Sequence, residues 1–155
     1  AIDKNGLTLP VQIHHMISKR AKYAIKALVY LYENEGSGPV SAKSISNNEN
    51  IPLNFLEKIL RELRQHKLIK SERGAVGGYR FSKPPNQISV ADIMRITDGP
   101  IALLPCVSEN FYEKCEECID EETCNLRRLF ARLRDQMLPI LEETIVELSG
   151  KNLKI

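Results

Sequence analysis

Long apolar runs are missing from this 155-residue sequence. A helix that crosses a bilayer needs about 20 consecutive, mostly apolar residues, so we expect no membrane-spanning segment. The first 15 residues also lack the positive region and apolar core of a secretory signal. We therefore expect a cytoplasmic protein, in which residues 1–15 are a remnant of cloning or a loose extension outside the fold.

The patterns that accompany enzyme catalysis are missing as well. The sequence has no Ser/His/Asp set and no glycine-rich loop that would cradle a phosphate. Cys115 and Cys118 form a Cys-x-x-Cys pair, which leaves a thiol oxidoreductase as an alternative hypothesis. No strand leads into that pair as a thioredoxin-like motif requires. We predict a protein that is not an enzyme and has no catalytic residues.

The charge of the chain is divided unequally along its length. The total is only +2, but residues 16–84 carry 13 lysines and arginines against 6 acidic residues, a net charge of +7. Residues 85–155 carry 8 against 13, a net charge of −5. Binding to DNA requires basic side chains that neutralise phosphates. The first half is therefore the candidate for a nucleic-acid interface.

The sequence from Ile51 to Phe81 predicts a helix followed by a β-hairpin. Pro52 suits the first turn of the helix. Apolar residues then recur at helical spacing, at Phe55, Leu56, Ile59, Leu60 and Leu63. The opposite face is polar and mostly basic, with Asn54, Glu57, Lys58, Arg61, Arg64 and Gln65. Two short runs flank the turn Gly74-Ala75-Val76-Gly77-Gly78, which is typical of a hairpin. This order predicts the recognition helix and wing of a winged helix-turn-helix domain.

The surrounding sequence supplies the other elements of such a domain. Ser18 is placed to cap a first helix and Ser41 a short second helix, so that three helices precede the hairpin. Ser89, with Asp92 three residues later, predicts a capped helix beyond a proline-rich linker. The fold class we predict is mainly α with a small β-hairpin wing.

A long final helix is predicted from about Cys124. Its apolar positions run through Ile145 and Leu148, and three of them are spaced by seven as in a coiled coil, namely Leu126, Leu133 and Ile140. Proteins that bind two-fold symmetric DNA sites do so as dimers, which set the distance between the two DNA-binding domains. We expect this helix to pair with a second copy of the chain, and so predict a homodimer.

All four cysteines, Cys106, Cys115, Cys118 and Cys124, lie in one acidic stretch, the cysteine segment. Seven acidic residues and only one basic residue, Lys114, lie between the first and last of them. Such acidity does not favour thiolates, so a metal would be the agent that deprotonates them. Thiolate groups suit zinc or an iron–sulfur centre. A thiol-redox switch, or thiols with no ligand, stays open.

Four stretches resemble the Rrf-type winged helix-turn-helix regulators, the bacterial family of IscR, NsrR and CymR. They are ISKRAKYAIKAL at 17–28, IPLNFLEKILRELR at 51–64, RGAVGGYRF at 73–81 and ISVADIMRITDG at 88–99. The resemblance implies a homodimeric transcription regulator, a repressor or an activator, that binds a pseudo-palindromic operator in double-stranded DNA. It also implies DNA contacts by the recognition helix and wing, from which we predict the set Asn54, Phe55, Glu57, Lys58, Arg61, Arg64, Arg73, Gly74, Gly77 and Gly78.

The same resemblance implies an iron–sulfur cluster, of the 2Fe-2S or 4Fe-4S type, that modulates operator binding. This sequence departs from two branches of the family. Where the IscR branch has a histidine ligand stands Arg127, and where the NsrR branch has an acidic ligand stands Lys22. Neither can ligate iron, so we predict an all-cysteine site in which Cys115 supplies the fourth thiolate. CymR-like members leave open a partner protein or metabolite as the signal.

We expect four parts in the chain, with residues 1–15 as the extension. Residues 16–84 form the winged helix-turn-helix domain, 85–123 the connecting helix and sensor loop, and 124–155 the dimerisation helix and tail.

Overall fold

The structure, a computed structural model, describes residues 17–74 and 77–150. The predicted extension at 1–15, two residues of the wing tip and the last five residues of the predicted tail lie outside the described residues. Eight helices and strands follow in order: α1 (Lys19–Asn34), α2 (Ala42–Glu49), α3 (Leu53–Gln65), β1 (Ile69–Glu72), β2 (Gly78–Phe81), α4 (Val90–Thr97), α5 (Asn125–Leu141) and α6 (Ile145–Gly150). Short 3-10 turns lie at Glu35–Ser37, Pro85–Gln87 and Pro105–Val107.

Serine side chains begin three of the helices, as the sequence predicted. The hydroxyls of Ser18, Ser41 and Ser89 each accept a hydrogen bond from a backbone N–H in the first turn of α1, α2 and α4. Asp92 completes a capping box with Ser89. These bonds satisfy N–H groups that have no partner within the helix. Asp98, which ends α4, accepts from the N–H and hydroxyl of Ser18 and so ties α4 to the start of α1.

The core of the domain lies between α1, α2, α3 and the hairpin. One face of α3 is fully buried, with Leu56, Ile59, Leu60 and Leu63 no more than 2% exposed. It packs against the buried leucines and alanines of α1 and against Ile45 of α2. Phe55 is an exception to the predicted apolar stripe, because its side chain is 38% exposed. Its ring packs edge-on against Tyr23, with centroids 5.8 Å apart.

The predicted hairpin is present, with Ile69 paired to Phe81 and Glu72 paired to Gly78. Tyr79 extends the pairing to Val40, exchanging backbone hydrogen bonds of 2.8 and 3.0 Å. Gly78 has to be glycine for this contact, since a Cβ there would lie 2.6 Å from the backbone of Val40. Packing within the fold therefore requires glycine at this position. Gly74 has a φ of +147°, which favours glycine at the turn.

The final helix is shorter than the sequence predicted. α5 continues through Pro139 but ends at Leu141, and Ile145 begins α6. Ile145 is fully buried in the core, and its N–H donates to the carbonyl of Ile88 at 2.9 Å. The chain therefore turns back onto the domain after α5. The apolar pattern predicted from sequence therefore spans two helices: Ile145 is buried in the core, whereas Leu126 and Leu133 of α5 are exposed.

No helix in the described ranges has the length and apolar character that a membrane span needs.

Replacing Gly78 with alanine should destabilise the domain, because the new Cβ would push against the Val40 backbone. Overpacking of this kind costs about 1–3 kcal/mol. We expect the free energy of unfolding in urea to fall by that amount. Gly36→Ala is the control, since no atom lies within 4 Å of its added Cβ. Equal stability of both variants would refute the proposed contact.

Candidate nucleic-acid interface and cysteine segment

The outer face of α3 presents the side chains that the sequence predicted for DNA. Burial of the opposite face fixes the rotation of the helix about its axis, so these polar residues point away from the core. All of them are exposed: Asn54, Glu57, Lys58, Arg61, Arg64 and Gln65. The side chains of Lys58 and Arg61 have no hydrogen bond or ion pair within residues 17–74 and 77–150. Their charges are available to an outside anion.

Arg20 of α1 is a residue of this surface that the sequence analysis missed. Its guanidinium binds the carboxylate of Glu62 on α3 through both oxygens, with Nε 3.0 Å from Oε2. Such a two-point pair fixes the geometry of both side chains. It also neutralises an acidic group on the helix that would face DNA. The two residues are 42 positions apart, so no local spacing pattern could have paired them.

A shallow groove runs beside α3 on the same surface. Its lining residues are Arg20, Phe55, Lys58, Ile59, Arg61, Glu62 and Gln65. Three of these seven side chains are cationic, one is acidic and one is aromatic. The groove is therefore basic, with an apolar wall where Phe55 packs on Tyr23.

The hairpin places a second group of predicted residues at its tip. Arg73 and Gly74 are exposed, and Gly77 and Gly78 are half-buried. Gly77 lies close to its own hairpin, with an added Cβ 3.1 Å from the Glu72 carbonyl oxygen. Along the strands, Glu72 holds Arg80 at 3.2 Å and Lys70 at 3.5 Å. Arg73 is the exposed cation nearest the turn, while Arg80 is partly neutralised.

The cysteine segment lies against α5 and is anchored at one end. Cys106, Val107 and Ser108 are buried, whereas residues 109–114 are exposed. The Arg127 Nε donates to the Cys106 carbonyl at 3.3 Å, and the Arg134 Nη1 donates to the Val107 carbonyl at 2.6 Å. Cys124 caps α5, its Sγ accepting from the Arg127 N–H at 3.5 Å. The first and last cysteines are thus both fixed at α5.

The four thiols lie in one neighbourhood. Interaction with the Cys106 thiol, followed by partial burial, raises the pKa of Cys115, and Glu117 and Cys124 raise it further. Partial burial raises the pKa of Cys118, with further contributions from Cys124 and Glu121. The neighbouring thiol and partial burial are the first causes, and one carboxylate adds to each shift, Glu117 at Cys115 and Glu121 at Cys118.

The donor chemistry fits a metal centre, although the side chains are not gathered around one point. In residues 17–74 and 77–150, no group of three or more histidine, cysteine, aspartate or glutamate side chains is arranged to hold one ion. The predicted ligands Cys106, Cys115, Cys118 and Cys124 are all free thiols that influence one another. Four soft sulfur donors suit zinc or an iron–sulfur cluster. They would have to draw closer together to hold either.

Comparison with known proteins assigns the fold and the class of function. The family described as Rrf2, iron-dependent transcriptional regulator, matches residues 17–148. An rrf2-like HTH-type transcriptional regulator of Rhodobacter capsulatus is 36% identical over 135 residues, which cover 85% of this chain and 90% of the relative. The HTH-type transcriptional regulator CymR of Bacillus subtilis is 33% identical over 84% of this chain and 86% of the relative.

Solved structures agree with the sequence comparison. CymR of B. subtilis, described as a global cysteine regulator, superimposes with a TM-score of 0.72 at 32% identity. The match covers 86% of this chain and 95% of that one. T. potens IscR gives a TM-score of 0.68 at 23% identity over 99% and 95% of the two chains, which supports the fold. The predicted winged-helix fold is confirmed, as is the prediction of a transcription regulator rather than an enzyme.

Cys118 should react slowly with iodoacetamide at neutral pH in metal-free protein, because its raised pKa leaves less thiolate than in a free cysteine. Its rate should rise with pH along a curve displaced to higher pH. Glu121→Gln removes one negative charge and should shift that curve to lower pH. Glu122→Gln, an exposed neighbour, is the control. Identical curves for both variants would contradict the electrostatic account.

Proposed function

This chain belongs to the Rrf2 family of transcriptional regulators, and we propose that it is a homodimeric repressor that binds a pseudo-palindromic operator. DNA binding follows from the family. The observation that carries the finer proposal is the outer face of α3, where Lys58 and Arg61 are exposed and without an internal partner in the described ranges. A recognition helix needs such side chains because base edges and phosphates supply their partners.

The proposed contacts divide between base edges and phosphates. Asn54, Glu57, Lys58 and Arg61 lie on the exposed face of α3 and are assigned to the major groove. Arginine can bind guanine at two points, and glutamate can accept from cytosine. Arg64 is assigned to phosphate, since its guanidinium lies 3.4 Å from the Ser71 hydroxyl beside the hairpin. Phe55 would support the helix through Tyr23. Arg73, Gly74 and Gly77 would approach the DNA backbone as the wing.

The proposed dimer rests on the apolar surface of α5. None of its residues is buried, and Leu126, Leu133 and Ile140 are 61%, 39% and 68% exposed. Leu129 adds a further 56% exposed side chain to that surface. A contiguous apolar patch on a helix of this length marks a protein interface. A second α5 with the same heptad spacing would cover it, and two-fold symmetry would then place two α3 helices for two half-sites.

We assign the cysteine segment to sensing through an iron–sulfur cluster held by Cys106, Cys115, Cys118 and Cys124. The match to a family described as iron-dependent supports this assignment, as does the mutual influence of the four thiols. The four cysteines would hold such a cluster as thiolates, and their bonds to iron would cross-link the segment. Cys106 and Cys124 are already fixed on α5, so Cys115 and Cys118 would move towards them.

A second candidate keeps the DNA-binding function and replaces the cluster with a thiol-redox switch. The interaction between the Cys106 and Cys115 thiols favours it, because neighbouring thiols can form a disulfide when an oxidant accepts their electrons. The raised pKa of Cys115 and Cys118 opposes it, since a protonated thiol is a poor nucleophile. Zinc would bind the same four cysteines. If the signal were a partner protein, no metal would be needed.

Arg61→Ala should weaken operator binding by about 1–3 kcal/mol if the guanidinium contacts a base edge. Binding measured by fluorescence anisotropy should then lose discrimination at one base pair. Arg64→Ala, as a phosphate contact, should weaken all sequences alike and reduce the salt slope by about one. Arg132→Ala on α5 is the control of equal charge. Unchanged binding for both α3 variants would remove this surface from the interface.

Protein purified without oxygen from iron-replete cells should be brown, with iron and sulfide in equal amounts. Cys118→Ala and Cys124→Ala should bleach it, whereas Glu116→Gln should keep the colour. An operator shift assay with and without the cluster tests regulation. Colourless protein that contains zinc would show that the cysteines bind zinc instead of a cluster. Metal-free protein whose operator binding responds to peroxide would support the redox switch instead.

A further inference from the structure

Two arginines on α5 hold the backbone at the start of the cysteine segment. Arg127 and Arg134 are seven residues apart, so their side chains leave the same face of the helix. Arg127 donates to the carbonyl of Cys106 and Arg134 to that of Val107, at 3.3 and 2.6 Å. Each also contacts a carboxylate of the segment, Glu121 and Glu109 respectively, at 3.8 Å. The two arginines therefore bind both the backbone and the acidic side chains of the cysteine segment.

Arg134 is the more deeply placed of the two. Its side chain is 20% exposed, compared with 39% for Arg127. Val107, whose carbonyl it binds, is 3% exposed. Water therefore has little access to that carbonyl if the arginine is removed, and a buried polar group without a partner is unfavourable. The neighbouring Asp135 holds the Arg134 guanidinium through one oxygen, at 2.5 and 2.8 Å.

We propose that Arg134 is a positioning residue that fixes Cys106 on α5 and so couples the state of the cysteine segment to the DNA-binding domain. The coupling part of this inference rests on the proposed function. The docking part does not, because it concerns only the contacts of Arg134. Movement of Cys115 and Cys118 towards Cys106 would displace the cysteine segment, which is attached to α5 at the Val107 carbonyl. Because Arg134 makes that attachment, the displacement would be transmitted to α5.

The far end of α5 is connected to the DNA-binding domain by ion pairs. Glu142, which follows the last residue of α5, accepts from Arg95 of α4 at 3.4 Å. Arg95 also lies 3.8 Å from Asp92, and Asp92 lies 3.4 Å from Lys83. The Lys83 N–H donates to the Leu68 carbonyl at 3.3 Å, between α3 and β1. A displacement of α5 would thus be transmitted through α4 to the start of the hairpin at Leu68.

Two readouts test the proposal on Arg134→Gln, with Arg132→Gln as the control. Arg132 lies on the same helix, and its side chain has no hydrogen bond or ion pair in the described part of the chain. The first readout is the alkylation rate of Cys106 in metal-free protein, followed by peptide mass spectrometry. We expect an increase of about tenfold in Arg134→Gln, since a charge-assisted hydrogen bond to a buried carbonyl is lost.

The second readout is the ratio of operator Kd values with and without iron and sulfide reconstitution. We expect that ratio to fall towards one in Arg134→Gln while dimerisation and metal-free DNA binding persist. Arg134→Lys keeps the charge but not the planar fork, and should restore part of both effects. Results for Arg132→Gln should equal those for wild type.

The outcomes separate this inference from the proposed function. Wild-type alkylation of Cys106 in Arg134→Gln would overturn the docking, whatever the cluster does. Faster alkylation with an unchanged Kd ratio would overturn the coupling. A wild-type ratio of one would overturn cluster sensing and with it the coupling, whereas the docking would still be decided by the alkylation rate.

Discussion

The packing of α3 against α1 is the interaction on which the rest of the structure depends. Leu56, Ile59, Leu60 and Leu63 are almost completely removed from water, and burial of such side chains contributes about 1.5–3 kcal/mol each. That contribution fixes which face of α3 is outward. Because the rotation of the helix is fixed, Lys58 and Arg61 both line the basic groove. The ion pair between Arg20 of α1 and Glu62 of α3 also holds the two helices together beside this groove.

The second half of the chain is organised around a different requirement. α5 packs mainly against α4 and the turn at Pro105–Val107, and leaves its leucines exposed. An exposed apolar surface of this kind is unfavourable in water unless a partner covers it. α6 returns to the core through Ile145 and fixes the base of α5 on the DNA-binding domain. The helix that would join two copies is therefore attached firmly to the part that contacts DNA.

The elements that could be predicted from sequence are those set by local chemistry. The serine caps of α1, α2 and α4, the apolar face of α3 and the glycine turn all depend on residues within a few positions of one another. The resemblance of residues 17–28, 51–64, 73–81 and 88–99 to one family identified the fold, and the comparisons confirm that family. Local pattern was sufficient wherever the partner of a residue lay in the same element.

Contacts between distant parts of the chain could not be predicted in this way. Gly78 requires the Val40 backbone, and Arg20 requires Glu62, which a single sequence does not pair. The apolar pattern of α5 continues into α6, and periodicity alone does not distinguish a surface that meets a second copy from one that meets the core. For the cysteines, spacing predicted the neighbourhood, while the hydrogen bonds of Arg127 and Arg134 that fix it involve backbone carbonyls.

The mass of the protein and of its complex with operator DNA, measured by sedimentation equilibrium, tests the central claim most directly. The account predicts a dimer in solution and two protomers on one duplex. Leu133→Glu should give a folded monomer with much weaker operator binding, while Arg128→Glu, at an exposed position of the same helix off the heptad positions, should stay dimeric. A wild-type monomer that binds the duplex singly, or a Leu133→Glu variant that stays dimeric, would contradict the claim that α5 joins two DNA-binding domains.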